Sequence, residues 1–331
     1  MLKFRLLTEN EMKEMSKYGF GKIPKVTDFA ILSGISGNYL TKEEYYDLDR
    51  RREKDRYRWL LSSDICVYHS YVNDKGEVLD WGLSHSFPAA VDRKGNITYA
   101  ICNEPGYGIR PVTVLNEDIA IGANIIDENI MENEKILVLQ YGEYIRDVVD
   151  EDLNYYLDKE LDEGNIFKTS KEYYPYWRYY DVKESYCRHM PIFRKSTNEN
   201  FQEYLFNGKK FVVVRTNKNS LNIGNKLHDD RRIEPDKSYW LMVEPIQWTL
   251  YMDNNLMVAD EVLLCGEDSR HCLVHSPYRP RYNFDNTDNM KMDNYLNKVF
   301  AKDIIPSNSL YKKEFPRDRD SYKKLVKLLN N

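Results

Sequence analysis

The sequence predicts an α+β protein: a module of short antiparallel strands with flanking helices, then a second mixed α/β unit. Three observations predict it. The first is an ordered pair of segments, Arg58-Trp59-Leu60-Leu61-Ser62-Ser63 and Gly108-Ile109-Arg110-Pro111-Val112. Between them lie the turn signals Asn73-Asp74-Lys75-Gly76 and Asp92-Arg93-Lys94-Gly95. The second is the hairpin Glu203 to Val214, in which Asn207-Gly208 selects a tight I′ turn. The third is a set of helix signals with caps or a clean apolar face, set apart from those strands.

Thr8 to Lys17 reads as a helix, with Thr8 and Glu11 spaced for a capping box and Leu7 and Met12 for a staple across it. Thr27 to Leu32 reads as a second short helix, capped by Thr27 or Asp28 and ended by Gly34. Lys42 to Arg58 is strongly charged and reads as a solvated helix or loop. Short β runs follow: Ile65 to Tyr68, Glu77 to Leu79, Ala89 to Val91 and Ile97 to Ala100. Gly76 and Gly95 sit where a turn needs positive φ. Pro111 pushes Arg110 extended, and an Arg held that way beside a core strand satisfies carbonyls or a carboxylate internally.

Asn116 to Glu134 is polar and reads as a connector. Lys135 to Gln140 is a strand ending at Gly142. Glu151 to Leu161 is a helix with Leu153, Leu157 and Leu161 on one face. Tyr239 to Leu250 and Leu256 to Leu264 are strands, and Asp288 to Phe300 is an amphipathic helix. A short terminal helix starts at Ser321. The expected division is 1–125 for the first module, 134–305 for the second unit with hairpin 203–214, and 306–331 for a charged C-terminal tail.

The 331 residues are enough for two or three domains and a sizeable core. Net charge is -5 with both signs interspersed, which argues against a dedicated nucleic-acid binder. The 27 tyrosines suit a recognition surface, since a Tyr ring is large, rigid and polar at its tip; AT-rich coding is the equal alternative. Five cysteines without regular spacing are not a disulfide framework and fit reduced thiols. No apolar run suits a signal peptide or approaches the ~20 residues of a membrane span. Synthesis in a cytoplasm is expected, with a virus particle as a destination outside the cell.

Several stretches resemble one family. Leu6-Leu7-Thr8-Glu9 and Thr27-Asp28-Phe29-Ala30-Ile31-Leu32 resemble its opening and a helix. Trp59-Leu60-Leu61-Ser62 and Gly108-Ile109-Arg110-Pro111 resemble its Trp-Leu-Arg-Ser and Gly-Val-Arg-Pro pair. Tyr141-Gly142-Glu143-Tyr144, Tyr204 to Phe211, Val243-Glu244-Pro245-Ile246-Gln247-Trp248 and Tyr295-Leu296-Asn297 continue the likeness in order. The family is an uncharacterised one of gut-bacterial and bacteriophage proteins, related to the formylglycine-generating-enzyme and C-type-lectin-like superfamily. The resemblance covers roughly residues 4 to 304. It implies a mixed α+β fold of C-type-lectin type with loops free to vary; some proteins of this fold are phage receptor-binding proteins and some are targets of sequence-diversifying retroelements, and the resemblance implies no particular enzymatic activity. Two departures are an insertion around Asp64 to Phe87 and Ile145-Arg146 in place of Pro-Gln.

Candidate chemistry is sparse. Cys265, His271, Cys272 and His275 suit zinc by type but lack a Cys-x-x-Cys pair, and buried thiols with surface imidazoles are the plainer reading. Cys102 lies near Gly108 without a second thiol close in sequence, so thiol oxidation rests on fold analogy alone. Cys187 and His189 are too close in sequence to orient as nucleophile and base. No Gly-x-Ser-x-Gly elbow is present, and Gly19-Phe20-Gly21 lacks the dinucleotide context. Asp285, Asp288 and Asp293 lack the glycine and terminal Glu of a calcium loop.

Binding remains. The insertion carries Tyr68, His69, Tyr71, Trp81, His85 and Phe87; the loop before Gly108 carries Asn96, Tyr99, Asn103 and Tyr107. Rings stack and amides adapt, which suits a carbohydrate or protein surface. The plainer alternative is that Trp81 and Phe87 pack the insertion onto the module. The expectation is a non-enzymatic recognition or structural protein, phage-related, with a virion, tail or receptor-binding role. No catalytic residue, metal or cofactor is expected. The expected partners are a protein or carbohydrate surface and a homo-oligomer or virion assembly, with no nucleic acid and no membrane. The rivals are an intracellular protein acting on a host defence factor or small ligand, and an oxidase or hydrolase on the same fold.

Overall fold

A computed structural model describes residues 3–17, 24–33, 35, 59–68, 71–72, 78–80, 84–91, 95–99, 107–127, 136–174, 201–216, 223–266, 295–305 and 319–330. The fold is mixed α+β, built on an antiparallel sheet of eight strands and a second sheet of five. The larger sheet runs β11 (Phe167–Tyr173), β12 (Phe201–Phe206), β13 (Lys209–Arg215), β14 (Ser238–Tyr251), β10 (Ile136–Val148) and β9 (Asn124–Asp127). β14 is long enough for two partners on one side: its first half pairs β13, its second half β15 (Leu256–Ala259), which in turn pairs β8 (Val112–Val114). The smaller sheet runs β17 (Leu264–Gly266), β7 (Tyr107–Ile109), β2 (Trp59–Tyr68), β5 (Ser84–Val91) and β6 (Ile97–Tyr99). Two short ribbons complete the strands: β1 (Lys25–Val26) with β16 (Glu261–Val262), and β3 (Tyr71–Val72) with β4 (Val78–Asp80).

The two sheets meet at one corner. β7 runs through Arg110-Pro111 into β8, beside β15 running through β16 into β17, so one ladder crosses from sheet to sheet. Ala259 N–H donates to Pro111 O at 3.0 Å and Leu263 N–H to Ile109 O at 3.1 Å, carrying the ladder round the bend. The expected units are therefore interlaced: β8 and β9, from the first 125 residues, join the large sheet, and β17 joins the small one. The Trp59 and Gly108 strands are neighbours, paired in parallel at Trp59↔Gly108. Arg110 is 1% exposed, donates from Nε to Ala259 O at 2.6 Å and lies over the Trp59 ring at 5.5 Å.

Local signals explain the helices. α1 (Glu9–Ser16) has the full capping box, with Thr8 Oγ1 accepting from Glu11 N–H and Glu11 accepting from Thr8 N–H at 2.9 Å. α2 (Asp28–Leu32) is capped by Thr27, whose hydroxyl accepts from Ala30 N–H. α3 (Glu117–Gly122) is capped by Asn116. α4 (Glu151–Asp162), capped by Asp150, lays Leu153, Leu157 and Leu161 against Trp240, Phe211 and Tyr204 on one face of the large sheet. Leu157, fully buried, contributes about 1.5–3 kcal/mol, and the half-buried Leu153 and Leu161 less. The other face packs on α1, α2 and the small sheet, forming the main core. α5 is a π-helical turn, Leu296–Phe300, running into Ala301–Asp303; within the expected charged tail, α6 (Arg319–Leu329) buries Leu325.

Several expectations change in detail. The strand after Lys135 does not end at Gly142: a bulge there, with Gly142 at φ +69, carries β10 on to Val148. The polar connector holds α3 and β9, because Asn116 caps one turn and the apolar run then serves the sheet edge. Leu256 to Leu264 splits into β15, β16 and part of β17 at the corner. The hairpin at 203–214 stands as expected, with Asn207 at φ 48 and Gly208 at φ 75. The outer edges are blunted. Ser321 Oγ on α6 accepts Ile125 N–H of β9 at 3.0 Å. Edge strand β11 bulges between Lys168 and Glu172, and Gln202 Nε2 donates to Thr169 O and Lys171 O there.

Candidate functional site

Titratable side chains converge most closely where α2 meets the end of β10. Asp28, in the first turn of α2, is 0% exposed. Its carboxylate accepts His228 N–H at 2.7 Å, Val148 N–H at 3.1 Å and the His228 Nδ1–H. Its own N–H donates to Asp147 Oδ1 at 3.1 Å, while Asp147 Oδ2 takes the Lys25 ammonium at 2.5 Å. Lys25 also faces Glu261 at 3.6 Å, and Glu261 pairs with Arg146 at 2.7 Å. β1, α2, β10, β16 and the loop around residue 228 are thus tied by one charge network.

The two aspartates are shifted in opposite directions. Burial pushes the Asp28 carboxyl up, only partly offset by His228. Burial also pushes Asp147 up, but the Lys25 ammonium and the Asp28 N–H outweigh it and hold the carboxyl down.

Asp28, Asp147 and His228 offer ligand atoms within 4.8 Å of one another, a set that suits a metal by type. The lone pairs are already engaged. Both Asp28 oxygens receive N–H donors, and Asp147 holds a backbone N–H and an ammonium. A cation would have to displace Lys25 and break these bonds, so the arrangement works as a network rather than a cage. Chemically it is also a buried carboxylate that orients an imidazole through Nδ1, with the side chain 41% exposed. That is the base-and-orienter half of an acid–base site. The structural role predicts an order of effects. Asp28→Ala leaves buried N–H groups unpaired and should cost about 3 kcal/mol or more in urea unfolding. His228→Ala, which keeps its backbone bond, should cost about 1 kcal/mol.

A second polar cluster lies beneath β11. Glu203 is fully buried and accepts from Thr169 Oγ1 at 2.9 Å and Tyr173 OH at 2.8 Å. Lys210 pairs with Glu143, and Lys171 lies 4.5 Å from the Tyr173 ring centroid. Burial pushes the Tyr144 and Tyr173 phenols well up.

The residues expected to bind that the structure describes fall in four places. By backbone, Tyr68 and His85 lie at one end of the β2–β5 hairpin, with Tyr68↔Ser84 and Val67↔His85 in register, and Tyr71 begins the next ribbon. Asn96 is exposed in the turn after Val91, at the other end of β5, about 20 Å away along the strand. Tyr99 pairs with Ala89 midway along β5. Tyr107 is 4% exposed and belongs to the core beside Trp59. His69, Trp81 and Asn103 lie outside the described residues, as do Cys102, Cys187, His189, His271, Cys272, His275, Asp285, Asp288 and Asp293. Cys265 is buried opposite Gly108.

The Asp28–His228 pair has no sequence signal, because 200 residues separate its members. Compared with protein-family models, curated proteins and solved structures, the chain matches none.

Proposed function

We propose that the protein is a non-enzymatic recognition or structural protein of bacteriophage type, displaying variable loops from a C-type-lectin-like module. The observation that carries this reading is the Trp59↔Gly108 pairing with Arg110 against the Trp59 ring. It fixes the bases of the two loop-bearing stretches side by side in a rigid core. From there the β2–β5 ladder continues by backbone to Tyr68 and His85, and Tyr71 begins the next ribbon. Aromatic and imidazole residue types suit a carbohydrate or protein surface. The charge network at Asp28 supports the same reading, since its acceptors serve to join elements.

The test combines location and binding. Purified particles of the encoding phage should contain the protein by mass spectrometry. The labelled full chain should bind intact host cells. The triple variant Tyr68→Ala, Tyr71→Ala, His85→Ala should bind at least about ten-fold more weakly with unchanged melting. Absence from particles together with no cell binding, or full binding by the triple variant, overturns the reading.

A further inference from the structure

Asp303 closes α5, the helix that docks against β10 and β11. Its carboxylate is 6% exposed and accepts Tyr174 N–H at 3.1 Å. The helix end is held twice more: Ile304 O accepts Glu143 N–H at 2.9 Å, and the Lys171 ammonium donates to Asp303 O and to Ile305 O. Lys171 is therefore spent on backbone carbonyls, the proper partner for a helix C-terminus. A negative side chain at that end opposes the helix dipole. The surroundings do not neutralise it. β10 brings Glu143 and the Tyr144 phenol, β11 brings Lys171 and the Tyr173 phenol with Tyr174 just after it, β12 brings Glu203, and β13 brings Lys210. On α5 itself stand Lys302, on the exposed side, and the Tyr295 phenol. Lys210 is paired with Glu143, and Glu203 is held by Thr169 and the Tyr173 phenol, so Lys171 and Lys302 are the cations that bear on Asp303 and they offset its burial only in part.

We propose that α5 is an acid-strengthened clasp, fastened to β10 and β11 when the Asp303 carboxyl holds a proton and loosened when that proton leaves. This goes beyond the recognition reading and does not depend on it. Protonation removes the charge that opposes the dipole, and the carboxyl still accepts Tyr174 N–H. Burial, offset only in part by the Tyr174 N–H, Lys171 and Lys302, pushes this carboxyl up from 3.8 to about 6. A raised folded-state value gives stability that is complete below the unfolded value and is lost as pH rises through about 6. Between pH 8 and pH 5 the closed state should gain roughly ten-fold.

Hydrogen exchange of the full chain, corrected for intrinsic rates, tests this. Residues 296–305 should show about ten-fold more protection at pH 5 than at pH 8, the rise setting in as pH falls through about 6, while hairpin 203–214 changes little. Asp303→Asn should show less than about two-fold difference. Lys171→Gln, which removes the facing ammonium, should move the onset of the rise to higher pH, and it carries the test should Asp303→Asn not fold. Equal protection of 296–305 at both pH values, an undiminished difference in Asp303→Asn, or an unmoved onset in Lys171→Gln overturns the proposal.

Discussion

Arg110→Ala should lower the unfolding free energy by about 3–5 kcal/mol, the largest loss expected from one side chain. Arg110 stands at the corner where the ladder passes between the sheets. Its Nε binds Ala259 O, its guanidinium covers Trp59, and Asp260 is an anion that favours its charge. Burial brings the guanidinium down to about 10, with Asp260 and Tyr251 acting against that fall, so the charge is costly but compensated. Truncation leaves Ala259 O without this donor and removes a positive charge that favours the Asp260 carboxylate. The Asp260 carboxyl is already pushed up by burial, and Arg110 is one of the groups that restrain it. Arg110→Lys should recover little, because a point charge cannot both donate from the Nε position and lie flat on an indole. The double variant Arg110→Met, Asp260→Asn should regain most of the loss, since it removes both charges and keeps the volume. Urea midpoints of the three variants give the comparison. Equal destabilisation by Arg110→Ala alone and by the double variant would mean the charge pair is not what holds the corner.

Gly142→Ala should cost about 2–5 kcal/mol, from two additive sources. Gly142 has φ +69, which an L side chain resists by about 1–2 kcal/mol. A Cβ there would also lie 3.0 Å from Ile304 O and 3.1 Å from Ile304 Cβ, and crowding of this kind costs about 1–3 kcal/mol. Neither neighbour gives way easily, because Ile304 O is already bonded to Glu143 N–H and Ile304 is fully buried. The damage should therefore concentrate at α5. Exchange protection of 296–305 should fall further than that of the 203–214 hairpin at any one pH. A variant as stable as the parent would contradict the close approach of α5 to the β10 bulge.

The sequence was legible where one or two neighbours decide the outcome. Thr8 with Glu11, Asn207 with Gly208, and the Leu153-Leu157-Leu161 stripe each fix a local geometry, and each element stands where they put it. Arg110 before Pro111 was legible as an internally satisfied arginine for the same reason. Gly142 misled because a glycine in a strand reads as a stop, whereas here it allows a bulge that long-range pairing with β14 carries past. α3 was missed because a six-residue helix offers one turn of pattern, and its Asn116 cap lay in a stretch otherwise typical of a loop. The interlacing was out of reach. β8 pairs with β15 more than a hundred residues on, and short apolar runs carry no record of their mates. The Asp28–His228 contact failed for the same reason. Of the expected binding residues, Tyr107 was legible as an aromatic but not as a buried one, since its burial comes from lying beside Trp59 in the small sheet.

The pairing of the tryptophan strand with the arginine-proline strand carries both the fold and the display reading, and backbone proton contacts measure it directly. In perdeuterated, amide-protonated protein, cross-strand contacts should link the Trp59 segment to Gly108, as expected for strands about 4.8 Å apart. Assigned amides in both segments that show contacts to their other neighbours but none to each other would contradict the account.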